Sequence, residues 1–386
     1  VLDFGQVYNG PYCGFLLAQA GARVIKVESP TGESLRGRSG SAKPSFPFRM
    51  FNSAKECITA NIKHPDGRQL IKDLVPQVDV VLENFSPGTL ADNGLGSDIL
   101  CALNPRLIYA AGTGYGGSGP YRDYLGMDIT LQAMSGVMSV TGDADSPPTK
   151  AGAAFCDILG GAHLYAGIVS ALYQREQTGK GAVIDISMQD CVFPALATQL
   201  GTYFQLGHQP ARTGNRHSGM ALAPYNVYQA KDGHVAMICF RGEHWLRLCD
   251  AMGRPELKTD ARFARTKDRV RNMDEVDALV EAWTRTLTKA EIFAIAQSAG
   301  MICAPVQTLE DVVNDPQLLA RGTLAWAEDK WGDQSLKFHT PIRFKGMQTP
   351  RVPDMPSLGA HSESVLLEFL GMDANEVARL RDAQAI

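Results

Sequence analysis

The chain has no run of Lys and Arg. Its 37 basic side chains stand against 41 acidic ones, for a net charge of -4 over 386 residues. Polyanion partners are held by basic clusters that release counterions, so nucleic acid is not an expected partner. It also lacks any stretch of about 18 consecutive uncharged apolar residues, so no membrane-spanning helix is expected. Its eight cysteines (Cys13, Cys57, Cys101, Cys156, Cys191, Cys239, Cys249 and Cys303) form no CxxC pair and do not cluster with histidine. A zinc site needs such clustering, so no metal is expected. Scattered thiols in apolar settings such as Ile302-Cys303-Ala304 fit a reducing, cytoplasmic compartment. Val1 is not Met, and a targeting segment ahead of it stays open.

What is present is a regular alternation. Val1-Leu2-Asp3-Phe4 reads as a strand, Phe15 to Ala22 has helical spacing ended by Gly21, and Val24 to Glu28 reads as a second strand. A Gly, Ser and Pro loop covers 29–47. Strand patterns recur at Cys57 to Asn61, Val78 to Leu82, Leu107 to Ala111 and Ala182 to Ile186. Helical patterns separate them at 65–74, 90–103 and 152–176. This succession predicts an α/β architecture with a mostly parallel sheet covered by helices. From 206 to 224 the chain is polar and turn-rich. A hairpin is expected over 225–239, turning at Lys231-Asp232-Gly233, followed by a mainly helical stretch at 243–320. The tail at 335–370 carries Pro341, Pro350, Pro353 and Pro356 and should be extended before a last helix near 362–383.

Four segments could carry chemistry. The first strand–turn–helix has Gly10 and Gly14 but no GxGxxG, so a dinucleotide fingerprint is absent. Glu83-Asn84-Phe85-Ser86-Pro87-Gly88 closes a strand, where α/β sheets gather ligands; it would also serve as a plain helix-opening turn. Gly112 to Pro120 is glycine-rich but has no Lys-Ser/Thr pair, so it is not a nucleoside-triphosphate loop. It leads to Gly126-Met127-Asp128, where Asp128 has the position of an N-cap. Gly152-Ala153-Ala154-Phe155-Cys156-Asp157 puts a carboxylate at the head of an apolar, small-residue helix. Asp157 is either a cap or a nucleophile whose ionised form the helix N-terminus favours.

Taken together, Val1-Leu2-Asp3-Phe4, Val24-Ile25-Lys26-Val27-Glu28, Phe51-Asn52 with Lys55, Glu83 to Gly88, Gly126-Met127-Asp128, Asp157, Thr178-Gly179-Lys180-Gly181, Met188-Gln189-Asp190, Ala304-Pro305-Val306 and His361-Ser362 resemble, in order and over essentially the whole chain, the class III CoA-transferases of CaiB/BaiF type and their α-methylacyl-CoA racemase relatives. The resemblance implies a large Rossmann-like domain over 1–205, completed by 330–386. A linker or active-site loop at 206–224, a smaller α+β domain at 225–325, and a return segment with a C-terminal helix at 326–386 complete the expected layout. Interlocked homodimers follow from the same resemblance.

It also implies that Asp157 is the nucleophile of an acyl-CoA:carboxylate CoA transfer, by way of a mixed anhydride and an aspartyl-CoA thioester. Coenzyme A thioester would be substrate, with no permanently bound cofactor, and a carboxylic acid would be acceptor. CoA would contact Tyr8, Asn9, Asn61, Lys63, Asn84, Phe85, Leu125, Gly126 and Met127. Asp128, Arg216 and His217 are expected at the reacting groups, with Arg212, Arg216 or Arg241 able to fork onto a carboxylate. Racemases of this superfamily carry His where this chain has Met127, and a thioether cannot shuttle a proton. Proton exchange is therefore the alternative reading, with His217 as substitute base. A CoA-binding protein without catalysis is the second alternative.

Overall fold

A computed structural model describes residues 1–37, 43–346 and 351–386; part of the loop at 29–47, and Pro350, lie outside them. The chain divides into two units, one of Val1–Ser135, Gly152–Phe193 and Val313–Ile386, the other of Gly136–Ala151 and Pro194–Val312.

The first unit is built on six parallel strands: β1 (Leu2–Asp3), β2 (Ile25–Glu28), β3 (Glu56–Thr59), β4 (Val80–Glu83), β5 (Ile108–Thr113) and β6 (Ala182–Ser187). Their spatial order is β3-β2-β1-β4-β5-β6. Leu2 pairs with Ile25 on one side and Val81 on the other, so the strand order reverses at β1. A reversal of this kind opens a crevice at the carboxyl ends of the two central strands. Alternation along the strands explains why both faces are covered. Val80 and Leu82 of β4 pack with Cys13, Leu17, Leu164 and Ile168, while Val81 joins the opposite cluster with Leu70, Ile71 and Val365.

Several boundaries differ from the pattern in the sequence. The first helix runs Asn9–Gln19 rather than 15–22. Pro11 sits in its first turn, where a missing N–H costs nothing. The 90–103 helix is two, Thr89–Asp92 and Ser97–Leu103, because Gly94 adopts φ 67° between them. The last helix is also two, Ser362–Leu370 and Ala374–Asp382; Gly371 closes the first at φ 69° and the Asp373 carboxylate caps the second. The long helix spans Phe155–Thr178 and ends at Gly179 in the left-handed region. By length and composition it would be able to cross a membrane. Here one face packs on β5, β6 and the Asn9–Gln19 helix.

The second unit holds an antiparallel sheet, β7 (Tyr225–Ala230), β8 (Gly233–Ile238) and β9 (Ile302–Pro305), in that order. The expected hairpin at 225–239 is present, with Ala230 paired to Gly233. Strand β9 lies inside the stretch expected to be mainly helical, too short to show a period of its own. Helices Gly242–Ala251, Met273–Thr284 and Lys289–Ala299 cover the sheet around Trp245, Val276 and Ile292. In the first unit, β10 (Leu324–Glu328), just ahead of the tail expected to be extended from 335, pairs as a hairpin with β11 (Gln334–Phe338), which opens that tail as a regular strand.

Candidate active site

Loop Gly5–Tyr8, leaving β1 at the crevice, is held by side chains at almost every backbone group. Gly5 N–H donates to Asp3 Oδ1 (2.7 Å), and Lys26 Nζ donates to Gly5 O (2.6 Å). Asn84 accepts from Gln6 N–H (2.6 Å) and donates back to Gln6 O (3.0 Å). Val7 N–H donates to Glu33 Oε1 (2.9 Å), which supports Val7 at φ 62°. Two buried ion pairs stand behind the loop, Lys55–Asp3 at 2.7 Å and Lys26–Glu33 at 2.9 Å. Lys55 also donates to Pro11 O and Asn52 Oδ1, so its ammonium is fully coordinated. Burial lowers the Lys55 pKa, and Asp3 acts against that. Burial acts the same way on Lys26, but Glu33, Asp3 and Glu28 overcome it and raise the pKa. Side chains are excluded where the loop meets the helix: a Cβ on Gly10 would lie 2.6 Å from Gly5 Cα.

A cavity of about 730 Å³ lies at the carboxyl ends of these strands. Of the residues expected to touch CoA, Asn61, Lys63 and Phe85 line it, with Phe4, Gln6 and Thr31. Lys63 is exposed and Phe85 half-buried. Arg381 and Gln384 also line it. They arrive from the end of the chain, fixed by Asn61 N–H donating to Ala385 O (2.8 Å) and Asn61 Nδ2 donating to Gln384 O (3.1 Å). Asn84 does not line the cavity; both ends of its amide are used on Gln6. Glu83 beside it is drawn up to about 7 by burial, against the Phe85 N–H and Tyr109 hydroxyl that it accepts.

Asp157 lies in the first turn of the Phe155–Thr178 helix, one turn inside the cap position. It is 8% exposed. Its pKa is raised to about 7, first by burial and then by the charge of Asp128; no hydrogen bond contributes. Asp128 opens the helix Asp128–Met134, but its carboxylate caps the other helix: Oδ1 accepts the Cys156 N–H at 2.9 Å. Its Oδ2 accepts from Gln132 Nε2 at 2.6 Å, and Gln132 is fully buried. The thiol of Cys156 is pushed up to about 12 by burial, then by Asp128, so the neighbouring sulfur stays protonated.

Tyr8 packs edge-on against Phe51, with ring centroids 5.9 Å apart. Asn9 is fully buried, and among the described residues neither end of its amide has a partner. It fills the space that side chains at Gly112 and Gly160 would take. Leu125 (78%) and Met127 (58%) are exposed, and Gly126 faces Gly114 so closely that a Cβ on it would lie 3.0 Å from Gly114 Cα. In the second unit, Arg216 is bound to Asp277 (2.7 Å) and Asp274 (2.6 Å). His217 Nδ1 accepts the Gly219 N–H at 3.1 Å. Arg212 donates to the carbonyls of Asp143 and Ala144, and Arg241 lies near Glu243. Among the described residues, no group of three His, Cys, Asp or Glu side chains converges as a metal site.

Sequence reasoning missed Gln132, Arg381 and the Lys55–Asp3 and Lys26–Glu33 pairs. Only Gln132 left a local trace, four residues after Asp128 and so on the same helix face.

The family model "CoA-transferase family III" matches residues 1–362. The chain is 36% identical to a succinyl-CoA–D-citramalate CoA-transferase of Chloroflexus aurantiacus, over 100% of this chain and 96% of that one. It is also 36% identical to an acetyl-CoA:oxalate CoA-transferase of Acetobacter aceti, over 97% and 95%. Among solved structures, a CaiB/BaiF family protein from Brucella suis superposes with a TM-score of 0.84 at 35% identity, covering 95% of this chain and 97% of that one. With model, sequence and fold in agreement across its length, the chain belongs to CoA-transferase family III.

Proposed function

We propose that the chain moves CoA from an acyl-CoA donor to a carboxylic acid, with Asp157 as the covalent relay. The observation that carries this is the Asp157 carboxylate: nearly buried, on a helix first turn, without a hydrogen bond from the described residues and raised to about 7. A carboxylate engaged by no protein donor among the described residues keeps its nucleophilicity, and near neutral pH a sufficient fraction is ionised. One oxygen attacks the thioester carbon and expels CoA thiolate, leaving a mixed anhydride. The thiolate attacks the aspartyl carbonyl, releases the donor acid and leaves an aspartyl-CoA thioester. The acceptor carboxylate then attacks that carbonyl, and the freed thiolate takes up the new acyl group, regenerating Asp157. No water and no net charge are consumed.

CoA fits the cavity at the strand ends, where Phe85 offers a stacking face and Lys63 and Arg381 offer charge for phosphates. Tyr8, Asn9, Asn84 and the Leu125–Met127 segment remain the proposed path toward Asp157. Asn9 and Asn84 shape that path, since their side chains are engaged or enclosed. The relatives' acceptors, citramalate and oxalate, support a dicarboxylic acid as acceptor. Arg216 is already neutralised by two aspartates, so Arg241 is the freer of the candidate forks.

The test is direct. The protein is incubated with a panel of acyl-CoAs, quenched with hydroxylamine, and the peptide containing Asp157 is weighed. A hydroxamate at Asp157, absent in Asp157→Ala, is the expected result. No adduct with any donor, together with α-proton exchange in deuterium oxide, would transfer the assignment to racemisation.

A further inference from the structure

Two carboxylates meet at the start of the Phe155–Thr178 helix, and the structure treats them differently. Asp128 receives the Cys156 N–H at 2.9 Å and the Gln132 amide at 2.6 Å, and the Cys156 thiol also bonds to it. Asp157 receives none from the described residues. A helix N-terminus normally stabilises a carboxylate in its first turn. Here the Cys156 N–H is taken by a side chain from another helix. Asp157 therefore sits in the first turn with part of that stabilisation spent on its neighbour. Gln132 is fully buried, and its amide donates to Asp128 Oδ2 at 2.6 Å and more weakly to Ala153 O at 3.5 Å, so it holds the Asp128 carboxylate in place.

We infer that Asp128, fixed by Gln132, is a positioning residue that keeps the free Asp157 carboxylate high in energy, so that forming the acyl bond relieves the strain. The inference rests on the covalent reading above. In both covalent states Asp157 is an uncharged acyl derivative, and its repulsion with Asp128 is gone. Only the free carboxylate carries it. Attack on the thioester moves negative charge from the Asp157 oxygen to the departing sulfur, so the first step is driven by leaving the neighbourhood of a like charge. This is the arrangement in which two carboxylates are separated by their environments into distinct roles.

Other titratable groups do not supply this effect. The elements packed on the helix bring Tyr12 and Cys13 from the Asn9–Gln19 helix, Tyr109 and Asp185 from β5 and β6, and Asp190 and Cys191 from the Met188–Val192 helix. Among the described residues none of them shifts Asp157; after burial, Asp128 does.

The test is a titration of Asp157 itself, read by carbon-13 NMR of protein labelled at the aspartate carboxyl carbon, with the signal assigned by its loss in Asp157→Ala. Asp128→Asn keeps an acceptor for the Cys156 N–H but removes the charge. The Asp157 midpoint, near 7 in the parent, should fall by about one unit or more, as expected when a like charge is removed. The acid limb of kcat/KM should move with it, and kcat should drop about tenfold. Gln132→Met removes the donor that holds and stabilises the Asp128 carboxylate, so the Asp157 midpoint should fall in the same direction by a smaller amount, which a merely structural role would not produce. An unmoved midpoint in Asp128→Asn overturns the inference; should that variant not fold, an unmoved midpoint in Gln132→Met does so. A parent protein that gives no Asp157 hydroxamate instead removes the covalent reading, whereas a hydroxamate with an unmoved midpoint rejects this inference alone.

Discussion

Lys55 and Asp3 show what single side chains contribute here. Both are fully buried, and the ammonium is shared among Asp3, Pro11 O and Asn52 Oδ1. Deleting one member leaves the other charge in a medium that cannot solvate it, which costs about 3–5 kcal/mol. Lys55→Met should therefore lower the unfolding free energy by that amount, read as a fall in the urea midpoint at an unchanged m-value. A loss under about 1 kcal/mol would mean that water reaches Asp3. The functional effect should exceed the loss of folded protein. Asp3 also holds the Gly5 N–H, so the loop bearing Tyr8 and Asn9 is set by the same carboxylate. None of this was legible in the sequence. Lys55 and Asp3 stand 52 positions apart, and Asn84 reaches Gln6 across 78. Asp157 was visible as a carboxylate at a helix start, but its partner Asp128 carried the signature of a cap for its own helix. It caps a different one.

At the scale of elements, the helix carrying Asp157 is seated against the sheet through its glycines. A Cβ on Gly160 would lie 2.3 Å from Asn9 Nδ2 and 2.8 Å from Met188 Cγ. Gly160→Ala should thus destabilise by about 1–3 kcal/mol, the usual range for overpacking. It should also lower kcat, because the displaced turn is the one after Asp157. Asn9→Ala removes an amide with no partner, which is close to neutral when a buried polar group is lost whole. The double variant Gly160→Ala/Asn9→Ala should recover part of the lost stability, and thermal melts of the four proteins measure the coupling. Strict additivity would show that Asn9 is not what Gly160 accommodates. Element types followed from local pattern: strands and the 65–74 helix were readable from periodicity and Pro65. Breaks at Gly94 and Gly371 were not, since a glycine within a helical pattern does not announce whether its φ will be positive.

For the whole molecule, the Phe155–Thr178 helix leaves a question its own sheet does not answer. The outward side exposes Ala166, Val169 (43%) and Tyr173 (71%), and the helix packs on β6, the edge strand of the sheet. Apolar residues at helical spacing next to an unpaired strand edge are what a second protein surface covers. A patch that is self-complementary about a two-fold axis makes a closed pair. We propose that the homodimer implied by the family resemblance covers this stripe. The paired substitution Val169→Asp/Tyr173→Asp should convert a sedimenting dimer to monomer, because two buried carboxylates without partners oppose association. Both residues point away from the sheet, so the circular dichroism of the variant should match the parent. The Asp157 hydroxamate should weaken in the monomer if a second chain helps to shield that carboxylate from water. A parent chain that sediments as a monomer at micromolar concentration would assign the exposed stripe to another partner and leave the catalytic reading of Asp157 intact.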